Sequence, residues 1–247
     1  MSETIQPGAL YIVSTPIGNL GDITRRAVEI LGGVDLIAAE DTRKTGFLLE
    51  HLCITKPLVS YFSYNEHRRV PELIARLKTG SSVAVVTDAG TPGVSDPAFS
   101  VIHAALAGGI TVIPVPGASA LLAALVVSGL PMDRFVFEGF LPVKKGRKTR
   151  FEELRSEPRT FVLYESPHRV VRTLEEILSY CGDRRVAVVR EVTKKFEEVQ
   201  RGRVSTVLSR VKQKAARGEY VIVVSGTNDR ESLPQNMETP DNNRAQL

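Results

Sequence analysis

The 247-residue chain contains no tryptophan, and aromatic residues make up only 6% of it. It has no RNA-recognition-motif signature, so nothing in the sequence indicates an aromatic platform for stacking RNA bases. The two cysteines, Cys53 and Cys181, have a spacing that fits neither a metal site nor a catalytic motif. We interpret both as structural residues of a protein in a reducing compartment.

Long hydrophobic runs are missing as well. No segment approaches the roughly 18 apolar residues that a membrane-spanning helix needs. Residues 1–6 do not lead from a basic region into an apolar core, so a secretory signal is not predicted. Hydrophobic residues make up 43% and charged residues 24%, which is ordinary for a globular protein, and the length permits two domains. We therefore expect a cytoplasmic protein with no membrane partner.

Several common catalytic and nucleotide-binding motifs are absent. The first loop has one glycine pair, Gly18 and Gly21, in place of the full G-x-G-x-x-G of a dinucleotide-binding loop. G-x-x-x-x-G-K-[ST], H-E-x-x-H and G-x-S-x-G do not occur, and no two of the four histidines have ligand spacing. These absences argue against a nucleoside triphosphatase, a zinc protease and a serine hydrolase, and we predict no metal site.

Charge is distributed unevenly along the chain. Residues 1–117 contain 9 Lys/Arg and 11 Asp/Glu, residues 118–226 contain 21 and 13, and residues 227–247 contain 2 and 4. A basic excess confined to one region is typical of a part that contacts a polyanion. The alternative is an ordinary solvated surface with many salt bridges.

The densest basic segment is residues 144–150, with five cations in seven residues. Lysine and arginine contacts to phosphate give affinity for RNA with little sequence information. We predict that this segment binds RNA; the alternative is a flexible charged loop with no partner. The predicted phosphate contacts are Lys144, Lys145, Arg147, Lys148 and Arg150.

Strand and helix patterns alternate along the chain, which predicts two α/β domains, each a parallel or mixed sheet with flanking helices. Strands are predicted at 10–13, 34–39, 58–62, 83–87, 111–115, 135–140, 160–164, 186–192, 198–201 and 220–225. Helices are predicted after Asp22 as N-cap, over 42–52 and 70–77, from Pro97 to Gly108, and over 121–127, 149–155, 169–181 and 204–217. The predicted domains are 1–117 and 118–226, followed by a disordered tail at 227–247.

Two loops rich in glycine and proline directly follow predicted strands. Residues 14–22 follow the strand at 10–13, and residues 87–97 follow the strand at 83–87. Ligands of open α/β sheets bind outside the carboxyl ends of the strands. Glycine lets the backbone approach a ligand closely. The loops therefore predict a small-molecule site made mainly of backbone groups.

The motifs in and around these loops resemble the tetrapyrrole-methylase superfamily and, within it, the ribosomal RNA small subunit methyltransferase I branch. They are Ser-Thr-Pro-Ile-Gly-Asn-Leu-Gly-Asp-Ile-Thr at 14–24, Ala-Glu-Asp-Thr-Arg at 39–43, Thr-Asp-Ala-Gly-Thr-Pro-Gly-Val-Ser-Asp-Pro at 87–97 and Val-Pro-Gly-Ala-Ser-Ala at 115–120. Further motifs at 137–142, 164–169 and 218–224 extend the resemblance over nearly the whole chain. Porphyrin-type members instead have a G-x-G-P-G-D first loop and lack the motif at 39–43.

The resemblance implies a two-domain tetrapyrrole-methylase-like fold that binds S-adenosylmethionine in the interdomain cleft and usually forms a homodimer. It also implies 2′-O-methylation of a cytidine in small-subunit (16S) ribosomal RNA. The superfamily supplies the fold and the methyl donor, whereas the motif at 39–43 supplies the RNA assignment. We expect the N-terminal domain to carry the substrate side and part of the cofactor site, and the C-terminal domain to carry the rest of that site and the basic surface that faces RNA.

The cofactor needs partners for an amino-acid head, a ribose and an adenine. We expect the Asp88 carboxylate to face the cationic head; the alternative is an aspartate that only stabilises a turn or caps a helix. Ser119 stands at a predicted helix start and can bind the cofactor, act as a plain N-cap, or do both. The other predicted cofactor contacts are Pro16, Ala89, Gly90, Gly93, Val94 and Ala120, with Leu163, Tyr164, Ala187, Glu219, Tyr220 and Val221 added by the resemblance.

Methyl transfer from an activated donor depends mainly on positioning the ribose oxygen, and a general base can remove its proton. Glu40 and Arg43 directly follow a buried strand, and we predict that both are catalytic, with Arg43 also binding an RNA phosphate. The alternative is that Glu40 only caps the following helix and Arg43 lies in a salt bridge. Asn65 and Arg69 follow the next strand and are predicted to contact RNA at the same edge.

Three functions remain open from the residues. The first is an S-adenosylmethionine-dependent rRNA ribose methyltransferase. The second is a methylase of a tetrapyrrole or another small acidic metabolite, against which the basic segment and the motif at 39–43 count. The third is a non-catalytic RNA-binding or assembly protein that keeps only the fold.

Overall fold

The computed structural model describes residues 4–229 of the chain. These residues divide between Ser119 and Ala120 into two compact units, of which the structure describes residues 4–119 and 120–229. The tail predicted to be disordered lies outside the described residues, except for its first three positions. Among the described residues, no helix is long and apolar enough to cross a membrane.

The first unit contains a five-stranded sheet in which every strand pair is parallel. The strand order is β3-β2-β4-β1-β5, and helices follow the strands in a βα alternation. The strands are β1 (Leu10–Val13), β2 (Leu36–Ala39), β3 (Leu58–Ser60), β4 (Val83–Val86) and β5 (Val112–Val115). The helices are α1 (Arg25–Gly33), α2 (Thr42–His51), α3 (Glu66–Lys78) and α4 (Phe99–Ala107). Because the strands are parallel, their carboxyl ends share one edge, here called the carboxyl edge.

Hydrophobic residues cover both faces of this sheet. Every residue of β1, β2 and β4 is buried, as expected for central strands with helices on each side. On one face Tyr11 of β1 packs in a cluster with α1, and on the other Leu10 packs in a cluster with α3 and α4. This two-sided burial explains why the strand sequences are continuous apolar runs.

Three predicted helix starts in this unit are wrong. Asp22 does not cap α1: it closes a short 3-10 turn, and Thr24 Oγ1 accepts the N-capping hydrogen bond from Ala27 N at 3.1 Å. Pro97 does not begin α4, because the chain is still extended at Ala98. The third helix, α3, begins at Glu66, four residues before the predicted start, so Pro71 lies inside it.

The second unit contains a mixed five-stranded sheet in the order β6-β7-β10-β8-β9. Only the β6–β7 pair is parallel, and the other three pairs are antiparallel. The strands are β6 (Phe135–Phe140), β7 (Thr160–Glu165), β8 (Arg185–Arg190), β9 (Glu198–Arg203) and β10 (Tyr220–Val224). The helices are α5 (Ala120–Ser128), α6 (Arg147–Leu154), α7 (Val170–Cys181) and α8 (Val204–Gln213).

The two faces of the second sheet pack against different helices. One face packs with α6, α7 and α8, and the opposite face packs with α5. Because side chains alternate along a strand, neighbours in sequence point to opposite faces. Residues of β7, β8 and β10 therefore divide between a three-helix face and an α5 face.

Candidate functional site

The loops that follow β1 and β4 are joined by backbone hydrogen bonds. Thr15 N donates to Gly90 O at 2.9 Å, and Gly90 N donates to Thr15 O at 3.1 Å. The hydroxyls of Ser14 and Thr91 lie 2.8 Å apart. Gly90 has a φ of +80°, which an L side chain rarely adopts. The pairing buries Gly90 and the predicted contact Pro16, and it leaves Ala89, Gly93 and Val94 exposed at the carboxyl edge.

A third loop, after β5, lies against the first. Ser14 N donates to Val115 O at 3.0 Å. A Cβ at Gly117 would come within 2.9 Å of the Ser14 Cβ, so only glycine fits at this position. Three loops that are distant in sequence thus form one surface of tightly packed backbone. Ser119 ends the third loop and directly precedes α5, which begins with Ala120.

The Asp88 carboxylate joins the loop after β4 to the start of α2. Its Oδ1 accepts a hydrogen bond from Asp41 N at 3.2 Å, and its Oδ2 pairs with Lys44 Nζ at 2.6 Å. Asp88 N donates to Glu40 Oε2 at 3.2 Å. Asp88 therefore neither caps a helix nor stabilises only its own turn. Lys44 was not among the predicted residues, although it directly follows Arg43; its ammonium occupies one oxygen of Asp88.

Asp41, and not Glu40, caps α2. Its Oδ1 accepts from Arg43 N at 2.9 Å, and the Arg43 guanidinium binds the same carboxylate at 2.7 and 3.1 Å. These hydrogen bonds hold the pKa of Asp41 well below its usual value. The capping alternative for Glu40 is wrong, whereas the salt bridge expected for Arg43 in that alternative is present. Arg43 still exposes 85% of its side chain, so the salt bridge does not bury its guanidinium.

Asp96 is a residue that sequence reasoning missed. Burial, reinforced by the charges of Glu40 and Asp88, raises its pKa to about 6, and a hydrogen bond with Thr87 opposes that rise. Three carboxylates from two loops therefore lie near one another at the carboxyl edge. The Ser-Asp-Pro sequence at 95–97 predicts a helix start, so Asp96 was interpreted only as a residue that precedes a helix. Within residues 4–229 there is no group of three or more His, Cys, Asp or Glu residues arranged to hold a metal ion.

Asn65 and Arg69 hold the loop after β3. The Asn65 amide accepts from Phe62 N at 2.9 Å and donates to Ser60 O at 3.1 Å. Arg69 Nε donates to Ser60 O at 3.1 Å, and its guanidinium pairs with Glu72 at 2.6 Å. Asn65 is buried. Its contact with RNA, and that of Arg69, stay predictions.

The predicted cofactor residues of the second unit divide between the two faces of its sheet. Leu163 and Tyr220 pack on the three-helix face, whereas Ala187, Val221 and Tyr164 pack on the α5 face. Tyr164 OH accepts from Leu121 N at 3.2 Å. A ligand on the α5 face could reach only the backbone of Leu163 and Tyr220. Glu219 is exposed in the turn before β10 and pairs with Lys194 at 2.9 Å.

The basic segment 144–150 contains both exposed and buried cations. Arg147 is only 3% exposed: it donates to Pro142 O at 3.1 Å and to Thr173 Oγ1 at 2.7 Å, and it pairs with Glu176. This burial corrects the prediction for Arg147, because its guanidinium cannot reach phosphate while the unit is folded. Arg150 pairs with Glu138 and Glu153, and Lys148 lies 3.6 Å from Glu152. All three lysines of the segment, Lys144, Lys145 and Lys148, are exposed.

A cavity of about 1210 Å³ opens at the other end of the second sheet. It is lined in part by Arg155, Arg184 and Arg203, near the start of β8 and the end of β10. The Arg184 guanidinium already donates to three backbone carbonyls, and Arg203 donates to another. Because these arginines hold the protein's own backbone, we do not assign a ligand site to this cavity despite its size. The predicted cofactor residues Tyr164 and Tyr220 lie at the opposite strand ends.

Comparison with known proteins identifies the family. A family model described as tetrapyrrole (corrin/porphyrin) methylases matches residues 9–208. The chain belongs to the tetrapyrrole methylase family. It is 50% identical over 221 residues to the "Ribosomal RNA small subunit methyltransferase I" of Synechocystis, covering 89% of this chain and 79% of that protein. The protein of the same name from Thermotoga maritima is 48% identical over 219 residues, which cover 89% of this chain and 99% of that one.

The family fold is also found among solved structures. A uroporphyrin-III C-methyltransferase from Thermus thermophilus, complexed with S-adenosylhomocysteine, superposes with a TM-score of 0.61. It is 19% identical and covers 89% of this chain and 98% of the solved one. At that identity the likeness concerns the fold alone. The family and fold predictions from the sequence motifs are confirmed.

Proposed function

We propose that the protein is an S-adenosylmethionine-dependent methyltransferase that modifies the ribose 2′-oxygen of a cytidine in small-subunit ribosomal RNA. The observation that carries the proposal is the 47–50% identity, over about nine-tenths of the chain, to proteins named ribosomal RNA small subunit methyltransferase I. The choice of cytidine and of its 2′-oxygen rests on the resemblance of the motifs. We also expect a cytoplasmic homodimer.

The backbone surface of the first unit fits the methyl donor. Gly90 and Gly93 have positive φ angles and Gly117 has no room for a Cβ beside Ser14, so the three loops pack closely, and Ala89, Gly93 and Val94 are exposed on the surface that they form. The residues that would hold the amino-acid head are Pro16, Asp88, Ala89, Gly90, Gly93, Val94, Ser119 and Ala120, and those beside the adenosine are Leu163, Tyr164, Ala187, Glu219, Tyr220 and Val221. When bound, S-adenosylmethionine supplies a methyl group already activated by its sulfonium. Whether residues of both units bind one cofactor molecule stays a prediction.

The carboxylates at the carboxyl edge can receive the proton of the ribose hydroxyl. Glu40 Oε2 already accepts Asp88 N, and Asp88 already pairs with Lys44 and Asp41 N. Burial raises the pKa of Asp96 to about 6, and a base is most effective when its pKa lies near the working pH. We therefore favour Asp96 as the base, with Glu40 orienting the loop and Arg43 binding the neighbouring phosphate.

The cations of the second unit would bind the RNA backbone. Lys144 and Lys145 are exposed, and Lys148 and Arg150 have exposed side chains that also pair with carboxylates. Contacts of this kind position an RNA without reading its sequence. Folded rRNA shape would then select the target. Arg147 is left out of this set because it is buried.

A methyl-transfer assay tests the proposal. Purified protein is incubated with labelled S-adenosylmethionine and either small subunits that lack the modification, naked small-subunit rRNA, or a precorrin-like tetrapyrrole. We expect label on rRNA, in a dinucleotide that resists alkaline hydrolysis because its 2′-oxygen is blocked. Label on the tetrapyrrole but not on RNA would contradict the proposal and favour a small-molecule methylase.

Variants in α2 and in the loop before it test whether these residues contribute to methyl transfer. Arg43→Gln should lower methyl transfer, because it removes the phosphate contact, and Glu40→Gln should lower it through the loop that Glu40 holds. Glu50→Gln is the matched control, since Glu50 is exposed in the last turn of the same helix. If all three variants had the activity of the parent protein, neither Glu40 nor Arg43 would contribute to methyl transfer.

A further inference from the structure

Several aromatic side chains of the first unit are exposed near its carboxyl edge. Tyr64 is 89% exposed and Phe62 is 37% exposed, and both lie in the loop after β3. Phe99, the first residue of α4, is 76% exposed. Single exposed hydrophobic residues are normal on protein surfaces, so the informative feature is that several large rings are exposed in neighbouring segments. The low aromatic content of the chain concealed this feature, because composition does not say where the few rings lie.

The exposed rings lie in two pairs. The Phe62 and Tyr64 rings make an edge contact with centroids 6.4 Å apart, and Phe99 stacks on His103 with centroids 5.7 Å apart. Glu66 connects the two segments that carry these pairs: its carboxylate accepts from Tyr61 OH and from Ser100 Oγ, each at 2.8 Å. The first turn of α3 is thereby bound to the first turn of α4. We call Phe62, Tyr64, Phe99 and His103 the aromatic surface.

Basic side chains lie beside the aromatic surface. His67 and Arg68 are exposed in the first turn of α3, three and four positions after Tyr64, and His103 of α4 is itself exposed. Aromatic rings interleaved with basic side chains are typical of surfaces that bind single-stranded nucleic acid. The rings stack on bases while the cations contact phosphates. A surface for a second protein would instead have a continuous apolar patch with few charges at its centre.

We propose that the aromatic surface stacks unpaired bases of the RNA substrate. This inference rests on the proposed RNA substrate and deepens it, since it names single-stranded nucleotides as the part of the RNA that the first unit binds. Tyr64 and Phe99 are the stacking residues, and Arg68 binds the adjacent phosphate. Glu66 is a positioning residue, because it holds the two aromatic pairs together without contacting RNA.

The absence of tryptophan from the chain provides a direct test. Tyr64→Trp and Phe99→Trp each place a single tryptophan on the aromatic surface. We expect a mixed-sequence single-stranded RNA of twelve nucleotides to quench the fluorescence of both variants, because a stacked base quenches the indole. The same RNA annealed to its complement should quench much less. Undiminished fluorescence at saturating single-stranded RNA would overturn the proposal.

Leu106→Trp is the matched control. Leu106 is 61% exposed on the same helix as Phe99, and the separation of seven positions places it about 10 Å away along the helix axis. We expect its tryptophan to keep most of its fluorescence when RNA binds. Equal quenching in the control and in the two test variants would mean that the signal reports general proximity, which also contradicts stacking.

Affinity measurements separate stacking from charge. Stacking of one base predicts that Tyr64→Ala weakens binding of the single-stranded RNA by roughly 5- to 100-fold, whereas Tyr64→Phe keeps the ring and most of the affinity. Arg68→Gln should lower the salt dependence of binding, and Tyr64→Ala should leave it unchanged. An affinity loss in Tyr64→Phe as large as in Tyr64→Ala would contradict stacking.

The outcomes distinguish this proposal from the proposed function. Quenching without any methyl transfer would support the aromatic surface and contradict the activity. Normal methylation of small subunits by the Tyr64→Ala and Phe99→Ala variants, together with no quenching in the Tyr64→Trp and Phe99→Trp variants, would support the activity and overturn the proposed role of the aromatic surface. A change from dimer to monomer in these variants, measured by sedimentation, would instead identify a surface for a second copy of the chain and also overturn the proposal.

Discussion

The two units use charged residues in different ways. In the first unit the charged candidates lie in loops at the carboxyl edge, where Glu40, Asp88 and Asp96 are close enough to change the pKa of Asp96. In the second unit many cations are internal: Arg147 is buried with Glu176, Arg184 donates to three carbonyls, and others pair on the surface. The first unit, which has little net charge, therefore gathers its charged candidate residues at one edge of the sheet. The second unit is strongly basic, but fewer of its cations are free to bind a polyanion than its composition suggests.

Both interpretations of the basic excess are therefore correct in part. Ordinary salt bridges account for several of the cations in residues 118–226, including Arg150 and Lys148. Lys144 and Lys145 remain exposed and can bind a polyanion. A net charge counts groups without regard to burial, so it overestimates the surface that RNA can reach.

The largest expected effect is on the buried charge of the second unit. Arg147→Ala should lower the free energy of unfolding by about 3–5 kcal/mol, because it leaves the Pro142 carbonyl and the Thr173 hydroxyl without their donor and Glu176 with only the exposed Arg172 as a cation. Urea denaturation measures this. Lys148→Ala, at the next residue, should change stability by less than about 0.5 kcal/mol because the side chain is 74% exposed. Similar values for both variants would contradict the contrast between internal and surface cations.

The backbone surface of the first unit gives the next effect. Gly117→Ala brings a Cβ to 2.9 Å from Ser14 Cβ and should cost about 1–3 kcal/mol of stability. It should also weaken S-adenosylmethionine binding, measured by calorimetry, because the first and third loops must separate. As a control, Gly46→Ala in α2 meets no atom within 4 Å and should stabilise the protein slightly. Unchanged cofactor binding in Gly117→Ala would remove this loop from the cofactor site.

Asp96 should destabilise the folded protein at neutral pH. Its folded pKa of about 6 lies above its ordinary value of 3.8, so the folded state binds more protons between these values and stability falls as pH rises from about 4 to 6. Asp96→Asn should therefore stabilise the protein at pH 7.5 by about 1–2 kcal/mol after solvent screening, and should not at pH 3.5.

The same substitution should slow methyl transfer, which separates a functional carboxylate from a merely strained one. In the parent protein we expect the rate to fall below about pH 6, as Asp96 becomes protonated. A stabilised variant with full activity and the parent pH profile would show that Asp96 is not the base.

The smallest effect concerns the exposed lysines. Replacing Lys144 and Lys145 with glutamine should leave stability unchanged and lower the slope of log affinity against log salt for rRNA by about 1.4–1.8. The control replaces Lys56 and Lys78 of the first unit, which changes net charge equally at the opposite edge of its sheet. Cofactor affinity should hold in both variants. A loss of cofactor affinity in the Lys144 and Lys145 variant would mean that this segment belongs to the cofactor site.

The sequence predicted the fold class well because the relevant signals are local. All ten predicted strands form, with bounds within two residues of the prediction, since buried apolar runs and turn residues are read directly. Helix starts were less certain: Asp22 and Thr24 are both good N-cap residues, and only the chain path decided that Thr24 accepts the hydrogen bond. The site motifs placed Asp88 and Glu40 correctly at one edge because parallel strands bring their carboxyl ends together.

The sequence by itself determined the family, the alternation of strands and helices, and the loops that surround the proposed cofactor site. Tertiary structure alone decided which charges are available: it buried Arg147, joined Asp88 to Lys44, and placed Asp96 near two other carboxylates. It also joined the start of α3, two residues after Tyr64, to the start of α4 at Phe99 through the Ser100–Glu66 hydrogen bond. Burial and proximity are pairwise properties of distant residues, and the identity of a residue and its neighbours in sequence does not contain them.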